Sequence, residues 1–282
     1  MKPDPREFRA SQSEQWSAAA PGWRKWWTTF ERAASGLSER IVELSGATVG
    51  DRVLDVATGI GEPALTAARR VGARGRVLGI DLAPQMIEFA ELRARELGLS
   101  NAQFRTVAVE DLDAGSERFD AAVSRFGLML MLDPVLGAEA VRRVLEPRAR
   151  FAAAVWSTAD RVPFIALPME VAEREIAAPK PDPDAPGPLR LGLKGALERV
   201  LERGGFALEA SETFTVTYDF ESLAHYTEFL RDLSGSLRRA LEGQSQETCD
   251  RIWRAVEKAA ERFVDERGHV RMANEARIAV GR

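Results

Sequence analysis

The sequence predicts an α/β fold in which a mostly parallel sheet is covered by helices on both faces. Two observations carry that reading. Between 51 and 156, short apolar runs alternate with amphipathic segments of helical period, the pattern of a parallel sheet whose strands are buried on both sides. The first run ends in a tight Gly-x-Gly turn, "VLDVATGIGEPALTAA" (53–68), and the carboxyl end of a strand in an open α/β sheet is where ligands bind.

Taken in order, 11–46 reads as helix. Trp16, Trp23, Trp27 and Phe30 recur there at helical spacing, with a break expected at Pro21-Gly22. These rings pack on the core, close over a ligand, or do both. "RVLDVA" (52–57) is a strand, and 62–71 a helix with Pro63 in its first turn. "GRVLGID" (75–81) is the second strand, followed by a helix from Pro84 to Leu97 that Gly98 ends. "AQFRTVAV" (102–109) and "FDAAVSRF" (119–126) are the third and fourth strands. Residues 134–145 are helical and "ARFAAAVWS" (149–157) is the fifth strand. "APKPDPDAPGPL" (178–189) is too rich in proline for regular structure. It is either a surface linker or a flap beside a site. Helix returns at 190–203, and "ALEASETFTVTYDF" (207–220) alternates as a strand does. A helical section covers 221–266, and "VRMANEARIAVGR" (270–282) is a last strand.

Composition narrows the function classes. The 282 residues carry 45% hydrophobic and 29% charged side chains with a net charge of −4, so no basic field points to nucleic acid. One cysteine, Cys249, and two distant histidines, His225 and His269, point away from a disulfide framework and from a metal centre. The start, MKPDPREFRA, lacks the apolar core of a signal peptide, and no run approaches the ~20 apolar residues of a membrane span. The expectation is a cytoplasmic protein acting on a small molecule, with a homodimer possible.

Gly59, Gly61 and Ala64 satisfy the dinucleotide fingerprint, so the loop could seat a pyrophosphate or another adenosine ligand. Asp55 decides between them. A carboxylate just before the turn would repel a pyrophosphate over the helix N-terminus. S-adenosylmethionine has no phosphate, and its ammonium would be attracted by Asp55 while the loop amides take its carboxylate. Asp55 could also simply cap the helix that follows. Asp81, at the end of the second strand, can accept both ribose hydroxyls in either ligand class, or cap the helix at 84.

With these residues in place, the chain resembles a class I S-adenosylmethionine-dependent methyltransferase, similar to the ubiquinone/menaquinone-biosynthesis group. "VLDVATGIGEPALTAA" resembles the first cofactor motif, "GIDLAPQMIEFA" the second, "VEDLD" (109–113) the adenine-edge motif, "SRFGLMLMLDP" (124–134) the segment along the methionine half, and "VRRVLEPRARFAAAVW" (141–156) the following helix-to-strand step. The resemblance implies a Rossmann-like seven-stranded sheet with an antiparallel last strand and helical cap insertions. It divides the chain into an N-terminal helical cap (1–46), a cofactor-binding core (47–157), a helical insertion with the Pro-rich loop (158–206), and the last two strands (207–282) carrying a helical insertion at 221–266. It implies S-adenosylmethionine as donor, S-adenosylhomocysteine as product, and cofactor contacts at Asp55, Ala57, Thr58, Gly59, Gly61, Asp81, Leu82, Met86, Val109, Glu110, Asp111, Ser124, Arg125 and Phe126.

Three departures stand out. Ala57-Thr58 replaces the usual Gly-Cys pair, expected to be harmless because backbone groups face the ligand. Ala108 stands where relatives carry an adenine-binding acid, a role Glu110 or Asp111 could take over. Arg148-Ala149 replaces Gly-Gly after Pro147, affecting a turn away from the cofactor.

Methyl transfer mainly requires alignment and exclusion of water, so no obligatory catalytic motif exists. His225 and Tyr226 are candidate catalytic groups in the presumed roof, and Trp156 and Trp26 candidate acceptor contacts. Arg125 could bind an acidic group of the substrate or brace its loop. Phe164, Phe220, Tyr226 and Phe229 suggest a partly hydrophobic acceptor or simply a core. A protein that binds the cofactor without transferring methyl is the alternative.

Overall fold

The structure, a computed structural model, describes residues 4–113, 115, 117–179 and 182–282. Seven strands form one sheet: β1 (Arg52–Val56), β2 (Arg76–Asp81), β3 (Ala102–Thr106), β4 (Phe119–Arg125), β5 (Leu145–Trp156), β6 (Leu208–Phe220) and β7 (Val270–Gly281), in the order β3-β2-β1-β4-β5-β7-β6. The first five are mutually parallel, and β7 is antiparallel to both β5 and β6. The expected mostly parallel seven-stranded sheet with an antiparallel last strand is therefore present. β1, β4 and β5 are buried along most of their length, which is why they read as unbroken apolar runs rather than alternating ones.

Helices α2 (Ala64–Val71), α3 (Pro84–Glu96) and α4 (Pro134–Val144) make the crossovers. α5 (Pro163–Ile176) and α6 (Ala196–Arg203) follow β5, while α7 (Leu223–Leu233), α8 (Gly235–Leu241) and α9 (Gln246–Ala260) lie between β6 and β7. Among the described residues no helix is long and apolar enough to cross a membrane.

The largest departure from the sequence reading is α1, a single helix from Pro5 to Leu44 with no break at Pro21-Gly22. Proline removes one hydrogen bond and crowds the preceding turn, which normally kinks or ends a helix. Here packing holds both halves. Ala20 and Trp23 join Ile60, Ala83 and Met86 in a small cluster, and from Trp26 to Val42 the helix enters the main core. A Cβ at Gly22 would lie 3.1 Å from the Asp232 carbonyl oxygen, so α7 also approaches α1 closely at this point. At about 1.5 Å per residue, 40 residues reach across the carboxyl ends of the sheet.

Smaller differences have local causes. The helix expected at 62–71 begins at Ala64, because 58–63 turn before it and Pro63 precedes its first residue. The helix expected at 190–203 begins at Ala196, after a turn closed by Gly195 at φ +81°. The fifth strand starts at Leu145 rather than 149 and runs through Pro147 without a turn. The pairing register shifts between Phe119 and Ala121 at that place, and such an irregularity accommodates a residue with no N–H to donate.

Candidate functional site

A cavity of about 920 Å³ opens where the strand order reverses between β1 and β4, near the upper end of the roughly 300–1,000 Å³ typical of ligand pockets. At one end lie the glycine loop, the end of β2 and the turn after β3. An aromatic lining adjoins it: Phe126 and Trp156, Trp16, Trp23 and Phe30 of α1, Phe164 of α5 and Phe229 of α7.

The glycine-loop end is built for close approach. Gly59 sits at φ +56° with nothing within 4 Å of where a Cβ would be, while a Cβ at Gly61 (φ +106°) would press on Leu65 at 3.0 Å. Gly59 therefore borders the cavity and Gly61 packs beneath it, against α2 and α3. Ala57 departs from expectation. Its φ is +58°, a left-handed conformation that costs a residue with a Cβ roughly 1–2 kcal/mol, so replacing glycine there is not conformationally free. Gly127 makes room for it, since a Cβ on Gly127 would come within 2.7 Å of the Ala57 methyl. Phe126 is also left-handed (φ +65°) and stacks on Trp156 with ring centroids 4.0 Å apart.

Asp81 borders the cavity and ties two loops together. One oxygen accepts from Gly59 N–H at 2.9 Å and the other from Ala83 N–H at 3.0 Å. Burial raises its pKa despite these donors. Leu82, Met86, Val109, Glu110, Ala57, Thr58, Arg125, Phe126 and Trp156 line the same cavity.

Several residues expected to touch ligand do not border it. Asp55 is fully buried. One of its oxygens accepts from Ala64 N–H at 2.8 Å, so it caps α2 from the neighbouring strand, and the other has no partner among the described residues. The alternative of a helix cap, rather than a direct ammonium contact, describes its place. Ser124 donates to the Val56 carbonyl at 2.9 Å and holds β4 to the end of β1. Asp111 faces solvent and pairs with Arg9 at 3.6 Å, leaving Glu110 as the acid at this edge. Tyr226 is fully buried against Phe220 at 5.3 Å between rings, and burial pushes its hydroxyl pKa well above the usual tyrosine value. Trp26 lies behind the cavity wall, donating to Asp232 at 2.6 Å and packing on His225 and Phe229. His225 sits on the far side of Trp26 and accepts from Glu221 N–H. Neither His225 nor Tyr226 borders the cavity. Of the four aromatics at 164–229, Phe164 and Phe229 line the cavity and Phe220 and Tyr226 are core.

Burial pushes the Asp55 carboxyl up to about 7, against the opposing pull of the nearby Thr58 hydroxyl, the Ala64 N–H and the Arg125 charge. An acid with a raised folded-state pKa stabilises the fold below its unfolded value and loses that contribution as pH rises toward the folded one. The window here runs from about pH 4 to about 7. Asp55→Asn should therefore gain on the wild type by roughly 2 kcal/mol between pH 5 and 8. Urea unfolding across that range checks this, and parallel pH profiles would refute it.

The charges at the cavity floor escaped the sequence reading. Glu31 and Glu62 both line it. Glu31 pairs with Arg125 at 2.7 Å and Glu62 with Arg93 at 3.6 Å. Arg93 also donates to the Ile60 carbonyl at 2.8 Å and lies over Trp27 at 4.6 Å. Burial and the nearby Glu31 charge raise the Glu62 pKa. Glu62 also lies 3.9 Å from Arg69, so Asp55, Glu31 and Glu62 stand against Arg125, Arg93 and Arg69 and the charges balance when all are ionised. Glu31 had a signal: it shares a helical stripe with Trp27, Ala34 and Ser38, where a carboxylate on an otherwise non-ionic face requires a partner. The Pro-rich loop also belongs to the site. Gly187 N–H donates to Met129 O at 3.1 Å, Arg190 to Met131 O at 2.6 Å, and Pro186 and Pro188 border the cavity.

A family profile described as methyltransferase domain matches residues 47–205. The 2-phytyl-1,4-naphtoquinone methyltransferase of Trichormus variabilis is 36% identical over 115 residues, covering 40% of this chain and 50% of that protein. The ubiquinone/menaquinone biosynthesis C-methyltransferase UbiE of Bdellovibrio bacteriovorus is 36% identical over 109 residues, covering 39% of this chain and 46% of that protein. The chain thus spans about half the length of the curated relatives it matches. Among solved structures, the [4+2]-cyclase SpnF superposes with a TM-score of 0.54 at 23% identity, covering 89% of this chain and 81% of its own, a likeness of fold.

Proposed function

The chain belongs to the class I S-adenosylmethionine-dependent methyltransferase family, and from that premise we propose that it methylates a small, partly hydrophobic acceptor enclosed in the cavity. The carrying observation is that one cavity joins a glycine-loop end suited to the cofactor with an aromatic chamber. The relatives named for naphthoquinone and ubiquinone/menaquinone substrates support an acceptor of conjugated-ring size.

The residues fit the cofactor. Gly59 leaves its surroundings open to a ligand, and Asp81 offers carboxylate lone pairs beside it for ribose hydroxyls. Leu82, Met86, Val109 and Ala108 supply an apolar seat for adenine with Glu110 at its edge. Glu31 and Glu62 line the floor, each held by arginine, and Asp55 acts at second hand through the α2 N-terminus. When bound, the cofactor supplies a methyl group on an already activated sulfonium. The protein's part is then positioning and drying. Trp16 and Trp23 of α1 and the Phe126–Trp156 stack wall the reacting end from water, and Ser13 fixes α1 to the Leu82 carbonyl at 2.8 Å.

Calorimetric titration should show S-adenosylhomocysteine binding and no response to NADH, and radiolabelled S-adenosylmethionine should pass label to members of a panel of hydroxylated naphthalenes and quinols. Absence of S-adenosylhomocysteine binding would overturn the reading. Binding without label transfer to any acceptor would favour a non-methylating role for the same site.

A further inference from the structure

Arg125 ends β4 on the cavity floor, and its hydrogen bonds leave one edge of the guanidinium spare. Glu31 occupies the end-on edge, accepting from Nη2 at 2.7 Å and from Nη1 at 3.3 Å. Nη1 also donates to Ser38 Oγ at 2.7 Å and reaches the Ala34 carbonyl at 3.4 Å. Among the described residues nothing accepts from Nε–H or from the second Nη2–H. Those two hydrogens lie side by side and form the fork that matches a carboxylate. The fork is not sealed away. Arg125 is 8% exposed and borders the cavity, and its Nε is not among the buried side-chain atoms without a partner, whereas Arg93 Nε is.

Position decides what the fork reads. The guanidinium lies 5.3 Å from the Phe30 ring centroid. Phe30 meets Tyr218 at 5.7 Å, and Tyr218 stacks on Phe164 at 4.3 Å. These rings belong to α1, β6 and α5; Phe30 and Phe164 line the cavity and Tyr218 is buried behind them. The fork therefore stands at the aromatic chamber, where the low dielectric strengthens a charge-assisted hydrogen bond and makes an unmatched donor costly.

We propose that Arg125 is an acceptor-binding residue whose Nε–Nη2 edge holds a carboxylate of the acceptor, so that the substrate is an aromatic acid rather than a neutral ring. Glu31 and Ser38 are positioning residues that fix the guanidinium with this edge outward. The inference rests on the methyl-transfer reading above and narrows its substrate class.

The test titrates the protein saturated with S-adenosylhomocysteine with 2-naphthoate and with its neutral isostere 2-naphthamide. A matched charge-assisted fork should favour the acid by about tenfold or more. Arg125→Lys keeps a positive charge opposite Glu31 and removes the fork. It should bring the two ligands to within about twofold while S-adenosylhomocysteine affinity changes less than about threefold. If its melting curve shows that Arg125→Lys does not fold, the pair Glu31→Gln/Arg125→Gln removes both charges together and should lose the preference equally. Three results would overturn the proposal: no preference for the acid, a preference that survives the variants, or loss of S-adenosylhomocysteine binding with 5′-methylthioadenosine binding intact. The last would assign the fork to the cofactor's own carboxylate. Failure of the wild type to bind S-adenosylhomocysteine would instead remove the methyl-transfer reading itself.

Discussion

Asp81→Ala is expected to weaken S-adenosylhomocysteine binding by roughly 100-fold, since a lost pair of hydrogen bonds to a carboxylate is worth about 3 kcal/mol. Two effects add. The carboxylate is the acid at the end of β2 that borders the cavity, and on the proposed reading it accepts from ribose hydroxyls. It also accepts from the backbone of Gly59 and Ala83, so removing it frees both loops that shape this end. Asp81→Asn separates the effects. Its amide oxygen can hold one backbone donor, whereas the amide nitrogen cannot accept from the other loop or from a hydroxyl, so an intermediate loss is expected. Calorimetric titration of both variants, with melting curves as a check on folding, measures the losses. An Asp81→Ala affinity within threefold of the wild type would remove Asp81 from the cofactor site.

Glu31→Ala is expected to destabilise the protein by about 3–5 kcal/mol, because it leaves the Arg125 guanidinium buried without its counter-charge. For a domain of this size that is a fall in melting temperature on the order of 10 °C. Glu31 joins α1 to the end of β4, so the loss loosens the contact that seats the long helix over the sheet. Glu31→Gln/Arg125→Met removes both charges and should recover most of the stability, since a buried pair contributes little over an apolar replacement. Thermal unfolding of the two variants provides the comparison. A single variant that melts within 2 °C of the wild type would show the pair to be solvated in solution.

The sheet was legible because its signals are local. An apolar run of five to seven residues followed by a glycine or an N-capping acid says strand, turn and helix with little help from the rest of the chain. Gly59 and Asp81 border the cavity, while Gly61, expected to touch the ligand, packs beneath it. Asp55 was harder. A carboxylate before a glycine turn serves a cap and a ligand equally well by spacing, and the path of 57–63, which brings Ala64 N–H to 2.8 Å from it, is not written in any single residue. The unbroken course of α1 through Pro21 was illegible for a related reason, because the contacts that offset the lost hydrogen bond come from Ile60, Ala83 and Met86. Side-chain type and a place in the helical roof single out His225 and Tyr226, and neither signal says which face of a helix points where. Glu31 and Arg125 pair across 94 positions, and nothing local announces a partner so far away.

The place of β7 between β5 and β6 gives the two ends of the cavity different routes of assembly. The cofactor end closes over short distances along the chain, with Arg52 pairing Arg76 and Val77 pairing Ala102. At the acceptor end, β6 reaches the sheet through β7 in the order observed, and β7 joins by pairing Trp156 with Ala276. Closing that long loop carries a larger entropic cost and slows folding. Phe164 meets Tyr218 and Phe229 across that long stretch of chain, so a change that delays the hairpin of β6 and β7 would fall on the proposed acceptor chamber before it touched the proposed seat of the cofactor.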